Sequence, residues 1–157
     1  VLLTNVINGS LGGLVAITAG CATMDVPYAI ITGLVAGMLT LAGSIFMQSL
    51  LLDDVVDAVS VHGFCGAWGT LAAGLFYAGN LFNEEIVLVQ LIGIAVAFLW
   101  AFVISLLMYG GIKLAIGLRA EALHEQRGLD FTEHAEIGYP EFQQIVTHKR
   151  GLSDKAD

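Results

Sequence analysis

Few side chains in this sequence can hold a charge or pass a proton, and the most unusual of them is His62. It lies within "AVSVHGFCGAWG", a run with no charged residue. An imidazole with a reference pKa of about 6.5 can accept, donate or relay a proton near neutral pH. Within an apolar helix such a group is costly, and it generally faces a bundle interior or a water-filled cavity. Two readings stand at this point: a neutral histidine satisfied by a packing partner, or a residue on a transport pathway. At α-helical spacing Ala58, Val59, His62, Cys65, Gly66, Gly69 and Ala73 fall on one side, a small apolar stripe around the imidazole.

The carboxylates nearby suit support roles. Asp53 and Asp54 interrupt a leucine run, and an Asp at a helix start accepts hydrogen bonds from free backbone N–H groups while opposing the positive end of the dipole. Asp57 lies off the face of His62 and reads as a capping or interhelical carboxylate, with direct attraction of a cation as the other possibility. Cys21 and Cys65 lack the spacing of a disulfide framework or a zinc site and read as buried packing residues. His124, His134 and His148 have no metal-ligand spacing and read as solvated. No cofactor motif or enzyme chemistry is evident. Phosphate binding needs clustered cations, so a net charge of -8 with only 6 Lys and Arg argues against nucleic acid.

These residues sit in a chain built for lipid. Of 157 residues, 57% are hydrophobic and 13% charged, half the charged share of about 25% in a soluble domain. A spanning helix needs about 20 apolar residues, and four runs reach that length: 3–22, 27–50, 55–78 and 86–117. Rise arithmetic puts His62 about eight residues into the third run, near mid-membrane. Pro27 suits the first turn of the second, and Asn80, Asn83, Glu84 and Glu85 form a polar link whose acids favour the start of the fourth. Glycines four apart (Gly9 and Gly13, Gly33 and Gly37) or three apart (Gly63, Gly66 and Gly69) suit close helix approach. Trp68, Trp100 and Tyr109 fit either an interfacial belt or the core. The expected organisation is a membrane region, 1–117, and a polar cytoplasmic tail, 118–157. Every Lys and Arg lies at or after Lys113, which places the C-terminus on the cytoplasmic side. In the tail, "GLDFTEHAEIGYPEF" reads as turn, short helix and turn. The abrupt start at Val1, inside an apolar run, reads as that of a fragment.

Three segments together carry a resemblance: "NGSLGGLVAITAGCA", "DDVVDAVSVHGFCGAWGTLAAGLF" and "GLRAEALHEQRGLDFTEHAEIGY". In this order and spacing they resemble the C-terminal part of the ammonium transporter family (Amt/Mep/Rh), over nearly the whole chain up to Tyr139. The resemblance implies an all-α polytopic membrane bundle: the last four helices of an eleven-helix inverted-repeat fold, assembled as a homotrimer in the plasma or inner membrane. It implies transport of ammonium or ammonia past His62, the counterpart of the second of two pore histidines, and past Ala58, a pore-lining position. Asp54 corresponds to the family's acidic helix start and Asp57 to an acid found in many members, both supporting the pore helix. The first pore histidine, the phenylalanine gate and the external recruitment site belong to earlier helices of the family. The tail residues Gly128, Leu129, Asp130, His134, Glu136 and Tyr139 are implied to be regulatory, with a soluble nitrogen-sensing protein as partner. Ala135 replaces a usual Gly, and "PEFQQIVTHKRGLSDKAD" extends past the usual ending. Such extensions resemble linkers to signalling modules, which makes an ammonium sensor the alternative to a transporter.

Overall fold

The structure is a computed structural model and describes residues 3–52, 54–127 and 129–134. It is helical throughout; among the described residues there is no β-strand, and one isolated antiparallel bridge pairs Met24 with Tyr77. The chain divides into two units, Val1–Ser105 and Leu106–Asp157.

In the first unit, α1 (Leu3–Thr18) buries Asn8, Gly12 and Ala16, one residue per turn. Asp25 in extended backbone and Pro27 in the first turn open α2 (Val26–Ser49), whose buried face carries Thr32, Ala36, Thr40, Gly43 and Ser44. Both faces consist of small residues. Lipid offers little hydrophobic drive for helices to associate, so contact must come from close backbone approach and from hydrogen bonds.

The third run does not form one regular helix. It begins as a π-helical segment, Val59–Phe64, and continues as α3, Cys65–Leu75. Ala16, Ala36 and Cys65, all fully buried, form the centre where α1, α2 and α3 meet. Three polar contacts tie α3 to α2: Trp68 Nε1 donates to the Thr32 carbonyl at 3.0 Å, the Cys65 thiol to that of Ala36 at 3.3 Å, and the Cys65 sulfur also lies 3.2 Å from Thr40 Oγ1. Trp68 therefore belongs to the packed interior, whereas Trp100 and Tyr109 are exposed. Cys65 is buried as expected, but Cys21, in the link after α1, is exposed.

Of the glycines in closest contact, Gly69 is one that spacing suggested and Gly12 is not. A Cβ on Gly69 would fall 2.6 Å from the Ala16 Cα, and one on Gly12 would meet Thr40 Oγ1 and lie 3.1 Å from the Cys65 sulfur. Gly9, Gly33, Gly37 and Gly66 have open space around them within this chain. Spacing finds a glycine face, but which face meets a neighbour depends on the rotation of the helix.

The fourth helix, α4 (Glu84–Ala115), is capped by Asn83, whose Oδ1 accepts from the Glu85 and Ile86 N–H groups at 3.0 and 3.2 Å. Glu84 and Glu85 oppose the dipole in its first turn, and Lys113 does so in its last. None of its residues is buried. Among the described residues, α2 and α4 are the helices long and apolar enough to cross a membrane.

In the second unit, α5 (Ala122–Arg127) and α6 (Leu129–His134) follow in the tail, with an exposed ion pair of 3.2 Å between Arg119 and Glu125. The helix α6 falls within the segment read as a short helix, while α5 had no counterpart in the sequence reading.

Candidate functional site

The local chain around His62 is set by two carboxylates that act differently. Asp54 caps the third run: its Oδ1 accepts from the Ala58 N–H at 2.8 Å and its Oδ2 from the Val59 N–H at 2.9 Å. These are donors that a helix start leaves unpaired, and a charged acceptor there also opposes the dipole. Asp53 lies outside the described residues. Asp57 adopts a left-handed backbone conformation, φ 54°, which Asp tolerates better than most residues. Its Oδ2 accepts from Asn8 Nδ2 on α1 at 2.8 Å, a bond between helices.

The left-handed residue prevents the helix from starting before Ala58. His62 is therefore the fifth residue of the helix rather than about the eighth. The segment then winds wide: the Cys65 N–H reaches back to the Ser60 carbonyl, five residues earlier, as well as to that of His62. Such π windings are rare and frequently occur at functional sites.

The wide winding also separates the stripe expected from α-helical spacing. Cys65, Gly69 and Ala73 are buried against the other helices, whereas Ala58, Val59 and His62 are exposed. Ser60 and Val61 turn inward in their place. Those positions share one side only at a constant 3.6 residues per turn, and the π segment breaks that count. His62 and Ala58 thus share an exposed face, flanked by half-buried Asp54 and Asp57. Phe64 borders it and packs edge-on against Phe46, with ring centroids 6.3 Å apart.

Asn8 is the residue of this arrangement that sequence reading missed. A signal was present, since Asn8, Gly12 and Ala16 recur every four residues, but an Asn among glycines reads as helix-packing polarity until its partner is known. Among the tail residues, Leu129 and His134 are exposed at the two ends of α6, and Asp130 lies in its first turn. Gly128, Ala135, Glu136, Tyr139 and the extension beyond them lie outside the described residues, as does His148.

Comparison with known proteins matches the sequence to a family. The sequence profile of the Ammonium Transporter Family matches residues 2–139. Ammonium transporter Amt2 of Archaeoglobus fulgidus is 38% identical, over 86% of this chain and 32% of its own length. Ammonium transporter Amt1 of the same organism is 35% identical, over 85% of this chain and 36% of its own. Ammonium transporter 1 member 2 of Arabidopsis thaliana is 34% identical, over 86% and 29% respectively. The chain thus spans about a third of the length of the curated relatives it matches. With a profile match covering most of its length and the apolar helices that a membrane protein requires, the chain belongs to the ammonium transporter family.

Proposed function

We propose that this chain forms part of a membrane protein that carries ammonium or ammonia across the bilayer, and that His62 and Ala58 line the path. Family membership carries this reading, and the exposed imidazole on a wide, glycine-flanked helical turn supports it. A hydrated ammonium ion cannot cheaply enter apolar surroundings, because an unpaired charge loses its hydration there. Passage therefore requires partial or complete removal of water, with replacement hydrogen bonds from the path. The imidazole supplies one such group: a neutral ring nitrogen can accept from ammonium or ammonia, and the other can donate onward. Ala58, one turn before it, keeps the wall small and apolar. Asp54 and Asp57 hold this turn in place from the rear.

In this reading the complete protein is an eleven-helix inverted repeat in the cell membrane, assembled as a homotrimer, with its C-terminal tail in the cytoplasm. Inverted repeats place their substrate path at the interface of the two halves. The second half of the path, including the other pore histidine, then comes from segments this chain does not contain. The tail around α6 is the docking element for a cytoplasmic nitrogen-regulatory protein.

A second reading, an ammonium sensor, draws on one observation: the family match stops at residue 139 while the sequence runs to residue 157. One experiment addresses both. The complete parent protein, reconstituted in proteoliposomes, is expected to carry a substrate-dependent ammonium flux that His62→Ala abolishes or makes unselective against potassium. Wild-type flux and selectivity in that variant would remove His62 from the path. Absence of flux from the wild-type protein, together with a signalling domain following residue 157 in the open reading frame, would favour the sensor.

A further inference from the structure

Asn8 is the polar member of the buried face of α1, only 7% exposed, and its bond to Asp57 joins residues 49 apart in sequence. Its position becomes informative when the contacts along that face are followed. Gly12 lies against Cys65, Ala16 against Gly69 and Gly20 against Ala73. Each of these steps is four residues along α1 and the turn that follows it, where Gly20 lies, and four along α3. The next step back is again four on α1, from Gly12 to Asn8, but on the third run it goes from Cys65 to Asp57, eight residues.

The surplus chain is taken up by the left-handed residue at Asp57 and the wide π-helical segment. Neither conformation is preferred by the chain itself. Asp54 satisfies the first N–H groups of the segment, but it belongs to the same stretch of chain and so cannot fix its rotation against α1. The Asn8 amide does so from a separate helix, through a charge-assisted hydrogen bond in a half-buried setting.

We propose that Asn8 is a positioning residue: by holding the Asp57 turn against α1, it keeps the following segment in its π winding and sets the rotation at which His62 and Ala58 face the path. This inference rests on the pathway reading of His62 given above. Without the bond, the segment can rewind toward regular α-helix, which turns His62 away from its present direction while α3 stays packed.

The test uses the full-length parent protein with paired readouts: hydrogen exchange of backbone amides over 58–64, and ammonium flux with ammonium-over-potassium selectivity in proteoliposomes. Asn8→Ala is expected to speed exchange over 58–64 and to lower selectivity, each about tenfold, the scale of a lost hydrogen bond to a charged group. Asn8→Asp, which sets two carboxylates together, is expected to be at least as damaging. The swap Asn8→Asp with Asp57→Asn restores the bond with its direction reversed, because the amide at position 57 now donates to the carboxylate at position 8. It should bring both readouts back to within about threefold of wild type, well inside the tenfold loss. Asp57→Asn alone keeps an acceptor for Asn8 and should stay within the same range. Should Asn8→Ala not reach the membrane, the comparison of the swap with Asn8→Asp decides. Unchanged exchange over 58–64 in Asn8→Ala, or a swap no better than Asn8→Asp, would overturn the proposal. His62→Ala is measured alongside. If that variant behaves as wild type the pathway reading is lost, whereas amide exchange still judges separately whether Asn8 positions the segment.

Discussion

Replacing Gly69 with alanine tests whether α1 and α3 are held together by backbone contact. The added Cβ would stand 2.6 Å from the Ala16 Cα and 2.7 Å from its carbonyl carbon, with the carbonyl oxygen also overlapped. Carbon atoms rest at about 3.5–4.0 Å, so the two helices must part by roughly 1 Å. Overpacking of this kind costs about 1–3 kcal/mol, and alanine returns up to about 1 kcal/mol through its better helix propensity. The expected net loss is about 1–2 kcal/mol, or about 5–30-fold in the folded ratio. Because the obstacle is backbone, Ala16→Gly should not relieve it. Gly12→Ala is the contrasting case: the obstacle there is the Thr40 side chain, so Thr40→Ala should relieve it, with a coupling of about 1 kcal/mol against one near zero for the Gly69 and Ala16 pair. Unfolding of the full-length protein in detergent, followed by fluorescence, measures both cycles. A Gly69→Ala protein as stable as wild type, or one rescued by Ala16→Gly, would refute the contact argument.

Three further outcomes follow from individual bonds. Asp54→Ala leaves the Ala58 and Val59 N–H groups without their acceptor and should cost about 0.5–2 kcal/mol, with Asp54→Asn milder; unchanged amide exchange at these two residues would contradict the cap. Trp68→Phe keeps most of the ring but loses the bond to the Thr32 carbonyl, and a fall in stability of about 0.5–1.5 kcal/mol is expected in the same unfolding assay. Cys65 should resist a maleimide until the protein is denatured while Cys21 reacts in the folded state, and equal labelling rates would place Cys65 outside the core.

What the sequence made legible depended on how local the cause was. The start of α2 at Asp25 and Pro27 and the acids in the first turn of α4 follow from chemistry within a few residues, so the sequence displays them. Family membership was legible because three motifs in order are hard to match by chance. The winding around His62 was not, since it depends on the left-handed turn at Asp57, and that turn is held by an amide 49 residues away. The same limit explains the glycines. Gly9 and Gly13 show the expected four-residue spacing, yet Gly12, one position from Gly13, meets Thr40 and Cys65. A difference of one residue is a rotation of about 100° on a helix, which a spacing rule without a partner cannot resolve.

Ser60 shows how the same turn alters the energy of a single hydroxyl. Serine and threonine buried in helices usually donate back to the carbonyl four residues earlier. Thr32 does so to Tyr28 at 2.8 Å, Thr40 to Ala36 at 2.9 Å and Thr70 to Gly66 at 2.9 Å. For Ser60 the corresponding residue is Val56, which lies in the turn before the left-handed Asp57, so no helical carbonyl is in line. Its Oγ is fully buried beside Gly43 and has no hydrogen-bond partner among the described residues. Burying a hydroxyl without a partner costs about 1–3 kcal/mol in proteins, and the dispersion lost with one oxygen atom is smaller. Ser60→Ala should therefore raise the stability of the full-length protein, by about 1 kcal/mol, although it deletes atoms from a packed interface. The same change should leave Gly43→Ala damaging, since a Cβ there would still press 2.6 Å from the Phe64 ring. A Ser60→Ala protein less stable than wild type by about 1 kcal/mol or more would mean that the hydroxyl is bonded in the complete protein, and the energetic account of the turn would fail with it.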